Sequence, residues 1–420
     1  MRVLMLGWEF PPYFAGGVGT VCYELTRALA RKGIGVTYVM PHGPEDVKSD
    51  HVKLLVADRE MRSLGVKTKR VVSNIQPYTN PQEYSWAQRY TNILKKKGAG
   101  AKALYGRDLM DEMYAFSDAV VNLAETEEFD VIHAHDWTTI PAAMALQKQF
   151  GKPMILHVHI TEFDKTGGEH ADPTVYKIEY DGFKAATLII AVSNFVKQRL
   201  VSQYFVDPEK IRVIHNSVEF NDREMGEARE RISDHEKLVL FLGRITLQKG
   251  PDYFLEAAAK VAKIVPNVKF VMAGTGDMLP RMIEKAADLG LGNKVIFPGF
   301  VNREQGERLY RMADLFVMPS VSEPFGIVPL EAMRHGTPAI ISRQSGVSEV
   351  LQHALKVDFW DVDDLASKMI ATLSYDHLHS TLSHHGTLEI HGFTWETPAE
   401  QCIRVYDEAA QRPLLVEVKW

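Results

Sequence analysis

Apolar residues run along this chain in two rhythms. Short runs of large apolar side chains, "RVLMLGW" (Arg2 to Trp8), "VTYVMP", "FDVIHAH", "PMILHVH" and "ATLIIAVS", alternate with stretches whose apolar positions return every third or fourth residue. The first such stretch, "VGTVCYELTRALARKG", sets Val18, Val21, Cys22, Leu25, Ala28 and Leu29 on one helical face, with Gly33 as its stop. Near-continuous apolar runs are those of parallel strands covered by helices on both faces. The pattern predicts βαβ units and a doubly wound parallel sheet, a fold that binds ligands at the carboxyl ends of its strands.

The rhythm restarts after "KIRVIHNSVEF". "KLVLFLGRI" reads as a second first strand, followed by "VKFVMAG", "VIFPGF", "LFVMPS" and "PAIIS", with helical patterns between them. The chain is therefore read as two α/β halves, 1–215 and 216–395, with a polar, acidic boundary near 215–236. A final helical pattern covers 396–412. Two α/β domains facing across a cleft give a common setting for a ligand. One segment stands apart. Residues 72–112 carry Tyr78, Tyr84, Trp86, Tyr90 and Tyr105 beside a "KKKGAGAK" run, which reads either as an irregular surface excursion or as an acceptor-facing region.

Composition narrows the class. The chain has 420 residues, 45% hydrophobic and 24% charged, in the range of soluble multidomain proteins. A net charge of -6 gives no footprint for nucleic acid. Two cysteines form no disulfide framework and point to a reducing compartment. The opening "MRVLMLGW" is too short an apolar run for a signal peptide, and no run nears the ~20 apolar residues of a membrane span. A cytoplasmic protein without membrane association is expected.

The candidate chemistry lies at strand ends. Arg244 and Lys249 in "GRITLQKG" follow a predicted strand, and a guanidinium fork with an ammonium suits a diphosphate. In "PSVSEPFGIVPLEAMRHG", Pro329 fits a first helical position and Gly336 a stop. The backbone N–H groups of Gly326, Ile327 and Val328, next to Phe325, then face an anion. Glu331 would lie in the first turn and Glu323 in the loop before it. At the amino end "EFPPYFAGGVGT" places Gly16, Gly17 and Gly19 before a helix, without the spacing of a dinucleotide fingerprint. "HAHDW" and "LHVHITEFD" put histidines at strand ends, where each alone reads as a packed histidine. "WDVDDLASKM" reads as a helix start capped by Asp363 or Asp364 rather than a metal-binding pair. The histidines His377, His379, His384, His385 and His391 lack metal-ligand spacing.

Taken together, "WEFPP…GGVGT", "HAHDW", "HVH", "GRITLQKG", "AGTGDM" and "EPFGIVPLEAM" resemble, in order and over nearly the whole chain, the retaining family-4 glycosyltransferases of the GT-B fold, and among them the glycogen and starch synthases. The resemblance implies that Arg244 and Lys249 neutralise the leaving diphosphate, that Glu323 lies beside the transferred sugar, and that Glu331 holds the nucleotide ribose. It implies that His159 contacts the donor sugar and that Gly17 and Gly274 lie near the nucleotide. Asp136 and Trp137 match an acceptor-side or structural pair, and Tyr105 is assigned to the acceptor side. The final helix, 396–412, is expected to cross back to the first domain. The expected activity is transfer of a hexose, glucose from ADP- or UDP-glucose, to a growing α-1,4-glucan with retention. No cofactor and no metal are expected. The expected partners are a nucleotide sugar and a carbohydrate acceptor, with no nucleic acid. The resemblance leaves two alternatives open: a cell-surface polysaccharide, glycolipid or small sugar as acceptor, or an idle glucan-binding scaffold.

Overall fold

The computed structural model describes residues 1–11, 17–43, 49–63, 109–168, 170–219 and 235–412. Most of the aromatic segment at 72–112, with Tyr105, lies outside the described residues, as do Gly16 and most of the acidic boundary. The chain divides into two compact units. One comprises Met1–Glu162, Ala171–Asn216 and the residues from Trp395 onward; the other comprises Phe163–His170 and Ser217–Thr394.

The first unit is built on seven parallel strands: β1 (Arg2–Leu6), β2 (Gly35–Met40), β3 (Lys53–Val56), β4 (Val131–His135), β5 (Met154–Val158), β6 (Leu188–Ala191) and β7 (Ile211–Val213). Their order is β3-β2-β1-β4-β5-β6-β7. Every residue of β4, β5 and β6 is buried, as a sheet covered on both faces requires. The helix Gly17–Arg31 buries the face that the sequence pattern marks, and Gly33 follows it at φ +78°. The helix Glu396–Gln411 packs against Gly17–Arg31 with Ala399, Cys402, Val405, Tyr406 and Ala409 buried. Ion pairs from Arg31 and Lys32 to Glu396, and from Arg212 to Glu408, flank that seam.

The second unit carries β8 (Lys237–Leu242), β9 (Val268–Ala273), β10 (Val295–Gly299), β11 (Leu315–Met318), β12 (Ala339–Ser342) and β13 (Leu355–Val357) in the order β10-β9-β8-β11-β12-β13. Its core joins Phe254, Leu255 and Val261 to Phe270, Met282, Leu365 and Met369. Pro298 is tolerated because β10 is an edge strand, with a register shift at that point. One expectation needs correcting. The cap of the helix Val362–Ser374 is Asp361, whose side chain accepts the Asp364 N–H at 2.9 Å. Asp363 and Asp364 lie inside the first turn, where their charge complements the helix dipole.

Each sheet reverses its winding once, between β1 and β4 in the first unit and between β8 and β11 in the second. Loops leaving the two strands at such a reversal splay apart and leave room for a ligand.

Candidate functional site

In the second unit the loops after β8 and β11 carry the candidate residues. Lys249 ends the short turn Leu247–Lys249, and its Nζ lies 2.5 Å from Glu323 Oε2. The same carboxylate oxygen accepts the Ser320 hydroxyl at 3.2 Å, and Glu323 is 6% exposed. Arg244 Nη2 donates to Gln248 Oε1 at 3.1 Å, one turn ahead of Lys249. The structure thus brings Lys249 and Glu323 into direct contact, with Arg244 in the same loop. Gly274 has to be glycine. At φ +135° a Cβ there would lie 1.8 Å from the Gly243 carbonyl oxygen, so the loops after β8 and β9 close on each other only without a side chain.

The Glu323 loop is held from its far side. Glu323 N–H donates to the Gln344 carbonyl at 3.0 Å, Gly346 N–H donates to the Glu323 carbonyl at 2.9 Å, and Val347 N–H to that of buried Phe325 at 2.7 Å. Asp164, fully buried, accepts the Ser322 hydroxyl at 2.8 Å. Gly326 sits at φ +94°, and a Cβ there would press on Glu323 Cγ at 3.0 Å and Met318 Cε at 3.1 Å. Ile327 and Val328 lead into the helix Val328–Arg334, with Pro329 in its first turn. Glu331 follows, and one of its oxygens accepts the Tyr310 hydroxyl at 2.8 Å. Burial raises the Glu331 carboxyl above its ordinary range, while the Tyr310 bond and the charges of Arg334 and Arg303 pull against the rise.

The first unit carries a different constellation. Asp136 follows β4 in the left-handed region at φ 58°. Its carboxylate accepts the backbone N–H of His159 at 2.7 Å and of Ile160 at 3.2 Å, and its own N–H donates to the His157 carbonyl at 3.1 Å. Asp136 therefore ties the ends of β4 and β5 together. Trp137 beside it is 1% exposed. Of the two roles the resemblance leaves open for this pair, these contacts are structural ones. Gly17 opens its helix on an exposed backbone, and Glu9, buried, accepts the N–H of Gly19 at 3.3 Å.

Parallel pairing of β4 with β5 sets His135 opposite His157, with His133 and His159 on the same side. The four imidazoles form one stack, with neighbouring ring centroids 4.3–5.3 Å apart and planes 16–29° from parallel. Two ring-to-ring hydrogen bonds run through it, His133 Nε2 to His157 Nδ1 at 3.2 Å and His135 Nδ1 to His159 Nε2 at 2.8 Å. His133 Nδ1 meets the Tyr406 hydroxyl at 2.7 Å. Burial lowers all four, His133 and His159 to about 3, so the stack is neutral at pH 7. His133, His135 and His157 offer ligand atoms within 4.8 Å of one another. Near-parallel rings send their lone pairs side by side, whereas a tetrahedral ion needs them to converge. The histidines at 377–391 are used locally, with His379 bonding the Asp314 carbonyl and His385 stacking on His353.

Sequence reasoning missed Tyr310, Ser320, Asp164, the 344–347 brace and the histidine stack. Only the stack had a signal, an H-x-H repeated at the ends of consecutive parallel strands.

Comparison with known proteins bears on both units. The family described as "Starch synthase catalytic domain" matches residues 2–208, and "Glycosyl transferases group 1" matches residues 222–387. An uncharacterised glycosyltransferase of Methanocaldococcus jannaschii is 29% identical over 98% of this chain and 99% of its own length. The glycogen synthase of Mycobacterium tuberculosis is 24% identical over 84% of this chain and 80% of its own. The solved catalytic domain of starch synthase IV from Arabidopsis thaliana, bound to ADP and acarbose, matches 98% of this chain and 99% of its own length with a TM-score of 0.69 at 14% identity. With two parallel-sheet domains and these relatives, the chain belongs to the glycogen- and starch-synthase-like family-4 glycosyltransferases of the GT-B fold.

Proposed function

We propose that this glycosyltransferase moves glucose from ADP- or UDP-glucose onto a growing α-1,4-glucan, with retention at the anomeric carbon and without a metal. The observation that carries the reading is the contact of Lys249 with Glu323 at the winding reversal of the second unit, with Arg244 in the same loop. A nucleoside diphosphate is already a good leaving group, so catalysis reduces to stabilising the charge that grows on it and to orienting the acceptor. Lys249 and Arg244 supply that charge stabilisation. Glu331, steadied by Tyr310, takes the ribose hydroxyls, and Gly326 lets a phosphate approach the backbone. Glu323 sits beside the sugar with one oxygen engaged by the Lys249 ammonium and the Ser320 hydroxyl. A carboxylate so engaged is a weak nucleophile, which favours departure and attack on one face of the sugar over a covalent intermediate. The glycogen synthase relative and the ADP- and acarbose-bound fold neighbour support a glucan acceptor.

The test is release of nucleoside diphosphate from a panel of nucleotide sugars, with and without maltooligosaccharides. Release from ADP- or UDP-glucose that rises with the oligosaccharide, with the glucan lengthened, is the expected result. Release that ignores glucans but responds to a small-sugar or lipid acceptor would move the acceptor assignment. No release from any sugar nucleotide would leave a binding scaffold.

A further inference from the structure

The hydrogen bond between His135 Nδ1 and His159 Nε2 holds a single proton, and its direction fixes the chemistry of both rings. A neutral imidazole has one N–H, and burial keeps these rings neutral. If the proton sits on His159, then His135 carries its own N–H on Nε2. That atom is buried and has no partner, on a residue 2% exposed. If the proton sits on His135 Nδ1, the unpartnered atom at His135 Nε2 is a bare lone pair. The N–H of His159 then lies on Nδ1, the other buried ring atom without a partner, on a residue 7% exposed just past the end of β5. A buried N–H without an acceptor is the rarer and costlier defect, whereas an unused lone pair is better tolerated. Both arrangements leave one buried ring N–H without a protein acceptor; the second moves it from His135 to His159, the more exposed of the two residues and the one beyond the end of its strand.

We propose that His135 is a positioning residue, donating from Nδ1 to His159 so that His159 is held as its Nδ1–H tautomer and meets substrate as a hydrogen-bond donor to an oxygen. Free imidazole in histidine prefers the other tautomer, with the proton on Nε2, so the arrangement needs an enforcing partner. Asp136 completes the placement by fixing the His159 backbone N–H at 2.7 Å. The inference rests on the reading that His159 faces the donor sugar. The group met there would be a sugar hydroxyl or a phosphate oxygen, and the geometry requires only that it accept.

The decisive measurement does not depend on activity. In protein labelled with 15N-histidine, with His159 assigned by comparison with His159→Gln, long-range proton–nitrogen spectra distinguish protonated from bare ring nitrogens. The wild type should show His159 protonated on Nδ1. His135→Phe, which keeps a stacking ring and removes the donor, should shift His159 toward the Nε2–H form. His135→Asn, whose amide N–H stands near the place of Nδ1–H, should restore it. A wild-type His159 protonated on Nε2, or one unchanged in His135→Phe, overturns the proposal. Should the phenylalanine variant not fold, the wild-type spectrum alone still decides.

Turnover of ADP-glucose and UDP-glucose adds a second readout. His135→Phe should lower kcat on the order of ten- to a hundred-fold with KM little changed, as for a misplaced group at the reacting centre, and His135→Asn should recover most of the loss. Equal turnover by His135→Phe and wild type would count against the positioning role. If the wild type turns over neither sugar nucleotide, the functional reading fails while the nitrogen spectrum still judges the tautomer.

Discussion

At the scale of single residues, the consequences follow from which groups are buried with partners. Lys249 is the charge that the proposed chemistry leans on most. Lys249→Ala should raise the barrier by about 2.7–4 kcal/mol, by analogy with loss of an oxyanion donor, so turnover should fall by roughly two to three orders of magnitude. Near-native kcat in that variant would remove Lys249 from the mechanism. Tyr310→Phe tests the ribose end. It leaves the half-buried Glu331 without its hydroxyl donor, at a cost of about 1 kcal/mol. The expected signs are a lower urea midpoint and a higher KM for the sugar nucleotide, with kcat nearly unchanged. Quenched reactions examined by intact mass should carry no glucosyl adduct on Glu323. An adduct there would replace the one-face route with a double displacement.

Among elements, the apolar runs were legible because a parallel sheet buries both faces of its strands, and β4, β5 and β6 have no exposed face to confuse the reading. Lys249 and Glu323 were legible because both sit in loops that follow apolar runs, though their mutual contact was not. That contact depends on β8 and β11 being neighbours, which adjacency in sequence does not reveal. Tyr310 was illegible for a similar reason. It reaches Glu331 from the helix Arg303–Met312, and a tyrosine on an amphipathic helix reads as ordinary packing. The misplaced cap shows a third limit, since three aspartates in "DVDD" all satisfy the capping preference and only backbone geometry chooses among them. Asp361→Ala should therefore destabilise the second unit by about 1 kcal/mol. Asp363→Ala, which removes an exposed pair with Lys260 and one exposed charge at the helix start, should cost about 0–1 kcal/mol. Chemical denaturation of the two variants side by side checks the order.

For the whole molecule, the histidine stack sets the acid limit. Each of its rings titrates near 6.5 when unfolded and far lower when folded, His133 and His159 at about 3. The unfolded chain therefore binds the extra protons. The stack's contribution to stability is complete above about pH 6.5 and drains away as pH falls toward 3. His42 acts in the opposite sense. Burial pushes it down, but bonds to Asp58 and Glu112 outweigh that and hold it at about 9. Its contribution is complete below about pH 6.5 and is lost as pH rises through 9. Urea midpoints measured from pH 4 to 10 should peak near neutrality. A midpoint unchanged between pH 7 and 5 would mean that the stack is not held neutral. The path of the backbone through the first unit has an implication for its synthesis. The ring pair at the inner end of that stack receives its phenolic neighbour, Tyr406, from a helix translated after the entire second unit. While the ribosome is still making that unit, the earlier sheet waits with one flank uncovered. A gene cut after residue 216 to produce the amino-terminal half alone should yield a sticky, aggregation-prone fragment, and supplying the segment around 396–411 as a separate peptide should rescue its solubility.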